Sequence, residues 1–177
     1  MIVALFCSSS DTLPSDVVAA AAELGQRIGR GGHTLLYGGV NKGLMEVTAQ
    51  HVKANGGRVV GVVPRYMIDR GFASTLLDEC VPCADLAERK SLIMKRADAF
   101  VALPGGVGTL DELISVAAAS QAGEHGKPLY LLNLHHFWDG LVKLLGAAEA
   151  GGYAREGSDE RMMLVPSVTT LADALDW

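Results

Sequence analysis

The stretch AFVALPGGVGTLDE, residues 99–112, decides how the chain is read. Ala99 to Leu103 is an uninterrupted apolar run of strand length, as expected of a strand buried on both faces of a parallel sheet. Pro104 closes it, Gly105, Gly106 and Gly108 follow, and a helical pattern opens at Leu110. A strand, a glycine turn and a helix start bring unpaired first-turn amides close to whatever lies above the sheet. Such a terminus favours an anion. The pattern therefore predicts a phosphate at this turn with Glu112 beside it. Thr109-Leu110-Asp111-Glu112 is also a capping box, with Thr109 as N-cap and Glu112 three residues on. The residues alone leave Glu112 between a cap and a ligand-facing carboxylate, and Asp111 reads as a complement to the helix dipole.

Outward from this stretch the chain alternates. A strand over residues 2–7 leads through the polar turn Ser8–Asp11 into a helix over 15–30, with Ser15 as its predicted cap and Gly31-Gly32 as its stop. A strand over 33–37 runs into Gly38–Gly43 and a helix over 44–55, and a third strand spans 58–63. Residues 65–75 read as irregular, a loop over the site. A short strand is expected over 76–81 and a helix over 85–96, carrying Glu88, Arg89 and Lys90. After residues 99–103 come a helix over 110–122, a strand over 128–132, a helix over 138–150, a surface loop over 151–161 and a short helix over 170–175. Strands alternating with amphipathic helices predict an α/β fold, a Rossmann-like doubly wound parallel sheet with helices on both faces, as one domain over residues 1–177. Ligands of such sheets bind beyond the carboxyl ends of the strands. Ser8–Ser10, Gly38–Gly43, Pro64 and Gly105–Thr109 all fall at those ends.

Composition bounds the partners. The chain has 177 residues, 49% apolar and 20% charged, with net charge −5. That balance argues against a nucleic-acid or anionic-membrane surface, so a phosphate site must be local. No run reaches the ~20 apolar residues that span a bilayer. The start directly on a strand makes the cytoplasm the default. Cys7, Cys80 and Cys83 read as packing thiols. His135-His136 lacks an acidic partner at zinc spacing, and no metal or cofactor is expected. Neither glycine turn is a Gly-x-Gly-x-x-Gly fingerprint or a P-loop.

Pro104-Gly105-Gly106-Val107-Gly108-Thr109-Leu110-Asp111-Glu112 resembles the PGGxGTxxE motif of the LOG (lonely-guy) family of cytokinin riboside 5′-monophosphate phosphoribohydrolases, formerly labelled lysine decarboxylases. Tyr37-Gly38-Gly39 with Gly43-Leu44-Met45 resembles its second glycine motif, and Glu88-Arg89-Lys90 its Arg-Lys pair. The resemblance implies Arg89 and Glu112 as the catalytic pair, with Gly105, Gly106, Gly108 and Thr109 at the 5′-phosphate. Ser8, Gly38, Gly39, Gly43, Met45 and Lys90 complete the candidate substrate-binding set. It implies a purine nucleoside 5′-monophosphate as substrate and a homodimer as the assembly. Val40 and Glu46 stand where the family usually has glycines. They favour the alternative of a non-catalytic nucleotide- or cofactor-binding relative of molybdenum-cofactor carriers, whereas Arg89 and Glu112 favour the enzyme. A decarboxylase would need a pyridoxal-phosphate lysine, and none stands in a recognisable site.

Overall fold

A computed structural model describes residues 1–154 and 162–177. Its strands are β1 (Ile2–Phe6), β2 (Thr34–Tyr37), β3 (Arg58–Pro64), β4 (Glu79–Cys83), β5 (Ala99–Ala102), β6 (Leu129–Leu132) and β7 (Met162–Val165). Its helices are α1 (Ser15–Arg30), α2 (Gly43–Ala54), α3 (Arg65–Asp69), α4 (Leu86–Arg96), α5 (Val107–Gln121), α6 (Asp139–Ala150) and α7 (Val168–Ala174), with a 3-10 turn over Leu134–His136. The strands form one sheet in the order β4-β3-β2-β1-β5-β6-β7, and every pairing is parallel. This is the α/β, Rossmann-like fold expected from the alternation.

The order grows outward from β1 in both directions, so the chain reverses between β1 and β5. That is the topological switch point, where connections leave in opposite directions and open a crevice above the sheet. Val3 pairs with Ala99 and Phe6 with Ala102, and Leu103 N donates to Phe6 O at 2.9 Å. The turns after β1 and β5 therefore rise side by side.

Strand side chains alternate between two buried layers. Val3, Leu5, Leu35, Tyr37, Val101 and Leu103 face α1, α2 and α7. Ala4, Phe6, Leu36, Val62, Phe100 and Ala102 face α4 and α5 through Ile93, Leu113 and Val116. Burying each Leu or Val stabilises the fold by about 1.5–3 kcal/mol, which fixes the register from which the site is hung.

Several local expectations are corrected. Ser15 does not cap α1: Pro14 stands at the cap position with no side-chain hydrogen bond, its fixed φ supplying the entry, and Ser15 is the first helical residue. Residues 65–69 form a helical turn rather than an irregular one, and Val40 makes an antiparallel bridge with Ala73. The fourth strand lies at 79–83, not 76–81, because Asp78 is used to accept from Val59 N at 2.8 Å at the edge of β3. The true N-terminal box is on α4, where Asp85 accepts from Glu88 N and Glu88 accepts from Ala84 N. β7 is a seventh strand the pattern missed, and α7 begins at Val168 behind a Ser167 cap. Of the loop expected over 151–161, residues 155–161 lie outside the described residues.

Candidate active site

α5 begins three residues earlier than its sequence pattern indicates. Gly106 is its cap residue, extended at φ −90° and ψ −156°, and Val107 is the first helical residue. Leu110 N makes the first intrahelical bond, to Gly106 O at 3.0 Å. The amides of Val107, Gly108 and Thr109 have no intrahelical acceptor, and among the described residues no side chain caps them. The capping box at Thr109 and Glu112 is therefore overturned: Thr109 is inside the first turn, buried, with its side chain against Gly105. Glu112 is one turn further along and cannot reach back to cap.

Freed from that role, Glu112 pairs with Arg89. Its Oε1 accepts from Arg89 Nη2, and the two side chains are only 10% and 14% exposed. Beside them Lys90 Nζ meets Asp111 Oδ1 at 2.6 Å, so two ion pairs bridge α4 to α5. Burial pushes the Glu112 carboxyl above its ordinary range, while Arg89's charge and hydrogen bond pull it down. Gly38 makes room for Arg89: a Cβ there would lie 3.2 Å from Arg89 Nη1.

A cavity of about 770 Å³ opens over these groups, within the ~300–1,000 Å³ range of small-molecule sites. Its lining includes Gly106, Val107, Gly108 and Thr109 at the start of α5, Cys7 and Glu112, and the apolar side chains of Val40, Met45, Met67 and Phe72. Ser8, Ser9, Ser10, Asp11, Lys42, Leu86 and Arg89 complete the wall. Of the sequence candidates, Ser8, Met45, Arg89, Gly106, Gly108, Thr109 and Glu112 thus meet in one cavity. Gly38, Gly39, Gly43, Gly105 and Lys90 are not among the residues that line it. Burial, with Glu112 nearby, raises the Cys7 thiol well above its usual value, so it is present as the neutral thiol.

The two glycine turns are not equivalent. At α2, Gly43 N donates to Asp11 Oδ1 and Leu44 N to Ser8 O, both at 3.0 Å, and Lys42 Nζ lies 3.4 Å from Asp11 Oδ2. The N-terminus of α2 is already occupied by the protein's own loop, whereas that of α5 is open. Asp11 had no motif to announce it; its acidic type close after β1 was the available signal. Val40, Met67 and Phe72 reach the cavity through a loop-to-loop contact in which Asn41 N donates to Phe72 O and Ser74 N to Gly39 O.

Away from the cavity, His135 pairs with Asp16 and His136 Nδ1 with Asp139 Oδ2 at 3.0 Å. Among the described residues no group of three or more His, Cys, Asp or Glu side chains could hold a metal ion.

A switch-point crevice with an open helix N-terminus and a buried Arg–Glu pair defines a Rossmann-like α/β protein with an anion-ready cavity. The family model described as possible lysine decarboxylase matches residues 45–175. The cytokinin riboside 5′-monophosphate phosphoribohydrolase of Mycobacterium tuberculosis is 36% identical over 166 residues, 94% of this chain and 88% of that protein. An Arabidopsis thaliana protein of the same name is 34% identical over 174 residues, 98% of this chain and 76% of that one. The chain belongs to this LOG family of phosphoribohydrolases. The solved molybdenum cofactor binding protein of Rippkaea orientalis shares the fold, with a TM-score of 0.76 at 22% identity over 99% of this chain and 94% of that one.

Proposed function

We propose that the protein hydrolyses the N-glycosidic bond of purine nucleoside 5′-monophosphates, AMP or its N6-substituted cytokinin counterparts, releasing the free base and ribose 5-phosphate. The observation that carries this reading is the buried Arg89–Glu112 pair on the wall of a cavity that also holds the open N-terminus of α5. The 5′-phosphate sits on the amides of Val107, Gly108 and Thr109, with Ser8 as a neighbouring donor. β5, β1 and β2 are consecutive in the sheet, so the turns after β5 and β2 stand about 10 Å apart at the usual strand spacing. A nucleotide whose phosphate lies at Gly106–Thr109 therefore carries its base toward Val40, Met45, Met67 and Phe72. The glycosidic bond falls between, over Glu112.

As that bond breaks, electrons leave with the base and positive charge develops on the ribose. A carboxylate held in a low-dielectric wall stabilises that charge and orients the attacking water, which gives its hydroxyl to C1′ and its proton to the base side. Arg89 fixes the Glu112 rotamer and keeps the carboxylate form accessible despite burial. A protein that only carried a ligand would need no such buried pair, which favours the enzyme over the cofactor-carrier alternative.

Incubation with AMP and with N6-prenylated AMP is expected to release adenine or prenyladenine together with ribose 5-phosphate, read by chromatography. Release of neither, under conditions in which a related phosphoribohydrolase turns over, overturns the reading.

We further propose that the working form is a single-domain subunit in a cytoplasmic homodimer. α6 has no buried residue, and Leu144 on it is 65% exposed. Leu110 and Ile114 of α5 are likewise exposed apolar residues close to the site. A second copy covering these helices removes that surface from water. Sedimentation velocity at micromolar concentration is expected to show a dimer, and a monomer throughout would contradict the pairing. Cys7, Cys80 and Cys83 are unpaired thiols, as suits a reducing compartment.

A further inference from the structure

Residues 39–42 and 67–74 are bonded together beside the cavity, and four of their amides are spent within the protein. Asn41 N donates to Phe72 O, Ser74 N to Gly39 O, Phe72 N to Met67 O and Lys42 N to Val40 O. The side chains that these two segments bring to the cavity are Val40, Lys42, Met67 and Phe72, while the polar residues Asn41, Asp69, Arg70 and Ser74 are not among those that line it. Lys42 pairs with Asp11, whose other carboxylate oxygen accepts from the Gly43 amide. Met45 of α2 adds a second thioether to the lining. This part of the wall is rich in apolar surface and poor in groups that could read the edge of a base.

Such a surface holds a flat ring by its faces. Thioethers and an aromatic ring offer dispersion and stacking that every purine meets alike, and methionine adapts its shape to what it touches. Phe72 and Val107, both on the cavity, are 41% and 84% exposed. The cavity is open to water there, and the polar edge of a purine keeps its hydration. Exchanging a 6-amino for a 6-oxo group then breaks no hydrogen bond to the protein. Magnitudes separate the two modes of recognition. A site built to hydrogen-bond its substrate rejects the analogue lacking that group by about ten-thousandfold or more, whereas apolar contact discriminates by about tenfold to a hundredfold.

We propose that the cavity reads a purine by its faces and not by its edge, and so takes 6-oxopurine nucleoside 5′-monophosphates, those of hypoxanthine and guanine, alongside the adenine ones. The inference rests on the nucleotide reading above and widens its substrates. The step is unchanged: the C1′–N9 bond breaks with its electron pair on N9, the hydroxyl of water bonds to C1′, and the remaining proton of that water ends on the base. IMP and water give hypoxanthine and ribose 5-phosphate.

The test joins calorimetric binding of carbocyclic AMP, IMP and GMP, whose bases are not hydrolysed off, to base release from the three natural nucleotides. The analogues are expected to bind within about tenfold of one another, the lower range of apolar discrimination. A wider spread overturns the proposal, because a partner on the base edge must then exist. Phe72→Ala is expected to weaken all three by the same factor, about tenfold, as the loss of one stacking ring gives. Its side chain is 41% exposed, so the fold survives the change. An unaltered affinity, or a loss that differs among the analogues, overturns recognition by the faces. Hypoxanthine and guanine are expected to be released with kcat/KM within about tenfold of that for adenine. Slower release than that from IMP and GMP, with AMP turned over, overturns the proposal alone. Release from none of the three overturns the enzymatic reading, while the spread of affinities still decides how the base is read. Failure of all three analogues to bind overturns both.

Discussion

Glu112→Gln is expected to lower kcat/KM for base release by about a thousandfold, the scale of a positioned general base or a charge-stabilising group. The glutamine retains an oxygen for Arg89 and most of the packing, so its melting temperature should stay near that of the wild type. Glu112→Ala is expected to lose the same activity and stability as well. It leaves the Arg89 guanidinium buried without its partner, and breaking a buried pair from one side costs about 3–5 kcal/mol. Activity retained by the glutamine variant would show that Glu112 serves structure alone. The pH profile gives an independent reading. Because burial raises the Glu112 carboxyl above its ordinary value of 4.5, the acid limb of kcat/KM should lie above that value. Stability runs the other way: a raised folded-state value favours the protonated fold. That contribution is present in full below the ordinary value and is lost as pH rises through the raised one. Activity should therefore grow across the window in which this carboxyl's contribution to stability fades, and Glu112→Gln should remove both trends.

Gly43→Ala is the second substitution with a large expected effect. Gly43 has φ +52°, and a Cβ there would lie 2.6 Å from Ser8 O and Ser9 C and 2.7 Å from Ser10 O. Left-handed backbone costs a non-glycine residue about 1–2 kcal/mol, and forcing atoms into filled space costs about 1–3 kcal/mol more. A loss of about 3 kcal/mol in denaturant unfolding is expected from the two together. Nucleotide binding should weaken with it, because the Ser8–Asp11 loop is what must move. Gly56→Ala is the control: its φ is +82° but nothing lies within 4 Å of the added carbon. It should show the backbone cost and leave binding intact. Equal losses in both variants would mean that the clasp between the β1 and β2 turns contributes nothing.

The doubly wound sheet was legible because its core strands are apolar throughout and its helices are amphipathic, so period and punctuation agree. β7 was not, since in Met162–Val165 only the end residues are buried and no alternation survives. The start of α5 was hidden for a different reason. Val107, Gly108 and Thr109 are poor helix formers, and tertiary placement of the Gly106 turn above β5 overrides that local preference. Those three residues decide the meaning of Glu112: a start at Leu110 makes it a cap, whereas the actual start at Val107 turns it toward Arg89. The pairing itself joins residues 23 apart on different helices, a contact no local pattern encodes. The motif resemblance pointed to both residues without supplying their geometry. Nor did it show that Asp11 and Ser8 fill the N-terminus of α2.

The pairing of β1 with β5 has a consequence for how the protein comes into being. Asp98, which accepts from Ile2 N at 2.6 Å, is 96 residues away from it in the chain. During synthesis the first strand emerges early and can zip with β2 and β3, but its other edge waits until β5 and α5 have left the ribosome. Ten residues of the cavity wall come from positions up to 72 and seven from positions 86 onward, and so long a separation makes closure slow. A nascent or truncated chain can thus hold several ordered strands and still have no binding cavity. Competence arrives in one late step, when the open edge of β1 is closed.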